Sequence, residues 1–311
     1  MQIGVFTAIW GNLSFEGALD NAVGLGVTAV EIGAGGYPGS QHCPVEELLA
    51  SEGKRAEWLE ELIRRGLVLS ALSVHNNPLH PNPETAALAD RTIRDAIRLA
   101  ALLGVGRVNG FSGLPGGAPG ERMPNWVTCP WPGEFLEVID YQWNQAAVPY
   151  WRAIHPLLEE YDVKFAIEMH PGFLIYNVGT LLRLREAVGP RLGCNFDPSH
   201  LWWNGVDPAA AIQKLGDAIF HVHGKDVSLD PVNLRVNGCN DYTPYSDVAA
   251  RSWTFRTIGD GHDIRTWVEL ISVLQAVGYD YVISIEHEDP RIPAGEGLRK
   301  AVSSLKEALA R

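Results

Sequence analysis

The sequence predicts an α/β fold, a parallel (β/α)8 barrel built as one domain over residues 1–311. Three observations carry that prediction. Eight short apolar or alternating runs are separated by amphipathic stretches, the rhythm of repeated strand–helix units. Polar residues gather at the C-terminal ends of those runs, where barrels of this kind build their active sites. The length also suits one barrel of about 250 residues with insertions. A doubly wound open sheet shares the alternation, and the gathering of polar strand ends favours the barrel over it.

Taken in order, the strands are expected at Ile3–Ile9, Ala29–Ile32, Val68–Val74, Arg107–Phe111, Lys164–Glu168, Gly193–Phe196, Ile219–His223 and Tyr281–Glu286. Helical periodicity runs over Ser14–Val23, Val45–Arg65, Glu84–Leu103, Ala146–Tyr161, Thr180–Val188, Pro208–Leu215 and Arg265–Ala276, with Leu298–Leu309 closing the chain. Several of these helices open on Ser, Thr or Asp-Pro and stop at Gly66, Gly104, Gly189 or Gly278, as capping chemistry requires. Three segments are too long to be plain connectors: Ser112–Gly133, Pro171–Asn177 and Asp226–Asp263, the last without clear periodicity. They follow the fourth, fifth and seventh strands and would therefore crowd the catalytic rim.

Composition excludes several classes. With 46% hydrophobic and 20% charged residues the chain is neither disordered nor fibrous. A net charge of -12 with no Lys/Arg-rich run argues against a nucleic-acid partner. The four cysteines form no CxxC pair, so a reduced, cytoplasmic setting is expected. No apolar run reaches the roughly 18 residues of a membrane span, and MQIGVFTAIWGN lacks a basic leader. GLGVTA (Gly24–Ala29) ends a helix rather than a strand, and GAGGYPG (Gly33–Gly39) has Pro38 at the third glycine's place, so neither reads as a dinucleotide loop.

Four strand ends carry metal-type groups: Glu168 and His170 in AIEMH, Asp197 and His200 in NFDPSH, His221, His223, Lys225 and Asp226 in HVHGKD, and Glu286 to Asp289 in EHED. Taken singly, each has a plain structural explanation: an ion-paired glutamate, a turn aspartate, a capping histidine. Four successive apolar strands ending this way instead point to one shared cation, because buried carboxylates are costly without a partner. Alternation places His221, His223 and Lys225 on one face, with His223 nearer the rim and His221 in the packed layer below. Glu168, Asp197, His223 and Glu286 then form an oxygen-rich donor set. It suits Mn²⁺ first, and also Mg²⁺, Co²⁺ or Zn²⁺.

IEMHPGF, NFDPSHLWW, HVHGKD and ISIEHEDP, with VNGFSG and GDGHDIRTW, resemble the segments of the xylose isomerase-like barrel superfamily, in particular the bacterial sugar phosphate isomerases/epimerases. The resemblance implies a metal on Glu168, Asp197, His223 and Glu286, and a substrate or second-metal contact by His200. It also implies that Glu168 and Glu286 act as base and acid on opposite faces of an enediolate formed next to a carbonyl. The activity so implied is isomerisation or epimerisation of a sugar or keto-sugar; the alternative is a lyase or dehydratase acting on a keto-sugar, keto-glycoside or inosose by the same proton abstraction. The fourth strand ends in Asn109–Ser112, and no histidine stands between His80 and His155. The resemblance to the superfamily's endonucleases, which use more histidines, therefore fails there.

Around that centre, His75, Lys225, Asp226, Arg256 and Trp10 are expected to contact substrate. Ten tryptophans, with Trp10, Trp126, Trp131, Trp202, Trp203 and Trp253 in loops, suggest an aromatic rim for a carbohydrate. Trp-rich loops equally suit an interface between copies of the chain, so a homo-oligomer is compatible.

Overall fold

A computed structural model describes residues 1–311. Its strands are β1 (Gln2–Phe6), β2 (Ala29–Gly33), β3 (Val68–Ser73), β4 (Arg107–Gly110), β5 (Lys164–Glu168), β6 (Leu192–Phe196), β7 (Ile219–Gly224), β8 (Asp226–Leu229), β9 (Trp253–Arg256) and β10 (Val282–Ile285). Eight of them pair in parallel and close a barrel in the order β1-β10-β7-β6-β5-β4-β3-β2. Closure is made by Gln2–Val5 against Val282–Ile285.

Period-two alternation divides each strand between two environments. Val30, Leu72, Val108, Phe165, Ile167 and Val222 join one 60-residue apolar cluster shared with the surrounding helices. The intervening residues Glu31, Ser73, Asn109, Asn195, His221 and His223 hydrogen-bond to one another across the lumen. The barrel interior beneath the rim is thus a polar network. Outside it, the helix Val148–Glu160 buries Trp151, Ile154 and Leu158 on one face, with Trp151 4.8 Å from Phe165. Full burial of each aliphatic side chain contributes about 1.5–3 kcal/mol.

The first strand is shorter than its apolar run: the chain turns into a 3₁₀ segment at Thr7–Trp10. The periodic stretch Val45–Arg65 is two helices, because Ser51 adopts an extended conformation and its hydroxyl accepts from the Lys54 amide to start the second. Before the helix Val148–Glu160 lie a further helix, Glu134–Tyr141, and a π-helical turn over Gln142–Ala147. The long segment after β7 is not structureless. Strands β8 and β9 pair antiparallel across it, a short helix spans Pro231–Asn237, and Trp203, Val227, Trp253 and Phe255 form a small core of their own. No helix is long and apolar enough to cross a membrane.

Candidate metal centre and active site

Strand ends β5, β6, β7 and β10 deliver Glu168, Asp197, His223 and Glu286 to one point, with one donor atom from each within 4.8 Å of the others. Glu168, Asp197 and His223 are buried, and Glu286 is partly so. Local structure explains each placement. Asp197 caps the helix Pro198–Trp203 by accepting from the Ser199 amide at 2.8 Å through Oδ1, which leaves Oδ2 without a hydrogen-bond partner. The His223 ring is held on its far side, where Nε2 donates to Glu31 at 3.0 Å. Its Nδ1 faces Glu168 at 3.2 Å and Glu286 at 3.3 Å, in ion-pair range but unaligned for a hydrogen bond. Glu168 accepts from His75 at 2.9 Å and Asn195 at 3.2 Å, and lies 3.2 Å from His200 Nε2.

The electrostatics of this cluster are those of carboxylates crowded around protein-borne cations. Burial would raise Glu168, yet His223, the nearby His200 and the hydrogen bond from His75 hold it well below the usual range. Glu286 is likewise pulled down to about 2, against burial, by Lys225 and His223. Asp197 goes the other way, pushed up to about 7 by burial and, despite Lys225, by Glu168 and Glu286. Against burial, Glu31, Glu286 and Glu168 lift His223 well above an ordinary imidazole. Burial lowers His221 to about 4, in keeping with its packed position beside Asn195 and Ser70.

Lys225 lies at the same point. Its buried ammonium is 3.0 Å from Glu286, 2.6 Å from Glu288 and 3.6 Å from Asp197. Three carboxylates, one imidazole nitrogen and buried orphan atoms at Asp197 Oδ2, His223 Nδ1 and both His200 nitrogens fit a divalent cation of the Mn²⁺, Mg²⁺, Co²⁺ or Zn²⁺ type. Above them opens a cavity of about 690 Å³, into which Glu168, Glu286, His75 and Lys225 project. His170, lowered to about 3 by burial and by His200, also lines it.

Other expected contacts lie elsewhere. Asp226 is turned away from the cavity and accepts from the amides of Val227, Gly259 and His262, from His262 Nδ1 and from Trp267 Nε1. It ties the β7–β8 corner to the end of the long insertion. Arg256 is committed to Asp289 at 3.0 Å and faces a separate shallow depression. Trp10 packs against the core beside Ile9, and only Ile9 reaches the cavity wall. Trp202 and Trp203 lie in the helix Pro198–Trp203 and Trp253 in β9, not in loops as expected, and they stack within the protein, Trp203 on Trp253 at 4.4 Å and Trp202 on His262 at 3.9 Å. The aromatic wall is made instead by Phe6, Tyr37, Phe111, Tyr245 and Phe255. Glu31, unanticipated from the sequence, is fully buried and braces His223; its signal is a carboxylate inside the apolar run AVEIG.

The xylose isomerase-like TIM barrel family matches residues 19–308. Uncharacterized protein YfiH of Bacillus subtilis (strain 168) is 39% identical over 312 residues, covering 99% of each chain. Inosose dehydratase of Geobacillus kaustophilus (strain HTA426) is 27% identical over 157 residues, half of this chain and 49% of that one. Among solved structures, a D-tagatose 3-epimerase-like protein superposes with a TM-score of 0.67 at 23% identity, over 100% of this chain and 97% of its own. That likeness extends the agreement in fold to the whole length. The chain therefore belongs to the xylose isomerase-like TIM barrel family.

Proposed function

We propose that this protein is a divalent-metal-dependent isomerase or epimerase of a sugar or keto-sugar. The observation that carries the reading is the convergence of Glu168, Asp197, His223 and Glu286 on the floor of a cavity large enough for a monosaccharide. Those four residues would hold the cation, with Mn²⁺ favoured by their mainly oxygen donors. When bound, it would supply Lewis-acid polarisation of a carbonyl group, making the adjacent C–H acidic.

The chain's own residues do the rest. Glu168 and Glu286 approach from strands on different sides of β7, so a planar intermediate between them is open to proton removal by one and proton return by the other. His75 and Asn195, by donating to Glu168, fix the direction in which its free lone pairs point. Lys225 orients a substrate hydroxyl at the rim, and His200, packed edge-on against Phe255, closes the floor. The phenyl and phenol rings of the wall offer apolar faces to the C–H side of a sugar ring and exclude water from the reacting carbon.

A lyase or dehydratase acting on a keto-sugar, keto-glycoside or inosose is the second reading, supported by the likeness to the inosose dehydratase. It begins with the same proton abstraction and differs in the loss of a β-substituent.

Solvent deuterium exchange into a panel of keto-sugars and inososes, with Mn²⁺ present, tests both. Exchange is expected with at least one of them, and Glu168→Gln and Glu286→Gln are each expected to slow it by about 100-fold or more. Elimination products alongside exchange would favour the second reading. Metal-loaded protein that exchanges no candidate would refute both, and would leave a ligand-binding sensor.

A further inference from the structure

Two cations line the active-site cavity deep in its wall, and they are treated differently. Lys225 is matched by three carboxylates. Arg251, 2% exposed, has no carboxylate oxygen within 4.0 Å. Asp241, which lies near enough to feel its charge, gives its oxygens to the amides of Thr243 and Ser252. Fully buried arginines are rare unless paired, because the desolvated charge otherwise goes uncompensated.

The surroundings of Arg251 leave one edge of the guanidinium for a ligand. Its guanidinium carbon lies 4.3 Å from the Tyr245 ring and 4.2 Å from the Trp253 ring, two rings set at 72° to each other. Nε donates to the Trp253 carbonyl at 3.0 Å, and Nη1 to the carbonyl of Thr243. Nη2 is buried and has no partner at all. Such a guanidinium, flanked by two rings, held by two carbonyls and with one nitrogen uncommitted, is pre-organised for a carboxylate or phosphate.

We infer that the substrate carries an anionic oxygen group, carboxylate or phosphate, and that Arg251 is the residue that selects it. The inference rests on the cavity being a sugar site, and it adds the charge of that sugar. Phe255, 4.3 Å from the Lys225 ammonium, and Tyr245, stacked on Phe255 at 5.9 Å, lie between Arg251 and the carboxylate cluster. The anion therefore belongs to the substrate's tail rather than to its reacting carbon. Tyr245, 59% exposed, covers the guanidinium and must shift aside for the anion to enter.

Calorimetric titration of the full-length protein with Mn²⁺ present tests this with two matched pairs, D-gluconate against D-glucitol and D-fructose 6-phosphate against D-fructose. In at least one pair the charged member is expected to bind at least about tenfold more tightly. Which pair does so separates carboxylate from phosphate. Arg251→Gln is expected to erase the difference, and Arg251→Lys to keep part of it. Equal affinity within both pairs, counting no binding as equal, or a preference that survives in Arg251→Gln would overturn the inference. Should Arg251→Gln not fold, the wild-type comparison and Arg251→Lys decide. Anion preference without deuterium exchange would count against the proton-transfer reading alone. Exchange of neutral sugars without anion preference would count against the role of Arg251 alone.

Discussion

His223 is held at Nε2 by Glu31 below, while its Nδ1 faces the carboxylate cluster above without a hydrogen bond. A metal-binding imidazole gains orientation and basicity from such a carboxylate behind it. The four converging donors were legible in the sequence because each stands at the end of an apolar strand. Glu31 was not, because its partner lies 192 residues away and only barrel closure brings them together. Asp226, expected to contact substrate, follows Lys225 by one residue and so takes the opposite face, where amides of the insertion meet its carboxylate. In the metal-free cluster His223 and Asp197 both have raised pKa values, the latter about 7, so both hold protons at mildly acidic pH. The groups facing them are Glu31, Glu168, Glu286, His200 and Lys225. A cation must displace those protons, so Mn²⁺ affinity is expected to rise with pH between about 6 and 8 and to release protons to buffer. Lys225→Met, which removes a competing charge within about 4 Å, should tighten Mn²⁺ binding by about tenfold. Isothermal titration in buffers of different ionisation heat reads both effects; affinity independent of pH, or weakened in Lys225→Met, would contradict this account.

At the scale of elements, the strands were readable and the insertion was not. Eight strand positions follow from apolar runs whose outward residues meet helices. The hairpin β8–β9 has no comparable period, since its short strands pack on only four buried side chains. Its anchor is the Asp226 carboxylate with five donors converging on it, and Gly261 lets the backbone approach. A Cβ there would lie 2.3 Å from the Val227 carbonyl oxygen and 2.5 Å from Asp226 Oδ1. Asp226→Ala strips a buried acceptor from three amides, an imidazole and an indole, and is expected to cost about 3 kcal/mol or more in urea denaturation. Metal occupancy of the folded protein should be retained. Loss of substrate affinity with stability unchanged would restore Asp226 to the site.

For the whole molecule, a divalent cation held by the folded cluster and not by the unfolded chain would stabilise the fold. Mn²⁺ at about 100 times its Kd is expected to stabilise the fold by about 2.7 kcal/mol, which for a chain of this size raises Tm by about 4 °C. A chelator should reverse the shift, and scanning calorimetry with and without Mn²⁺ measures it. An unchanged Tm at metal saturation would mean that the ion does not bind the folded cluster preferentially. The arrangement around the ring adds a further consequence. The four donors leave β5, β6, β7 and β10, consecutive staves on one side. Phe6 ends β1, and Tyr37, His75 and Phe111 follow β2, β3 and β4 on the other. The donors thus stand on one arc of the ring, and the opposite arc supplies Phe6, Tyr37 and Phe111 to the wall, with His75 alone reaching across to a donor. Exchanging the loops after β1, β2 and β4 would reshape that part of the wall while the four donors and the His75 hydrogen bond stay in place.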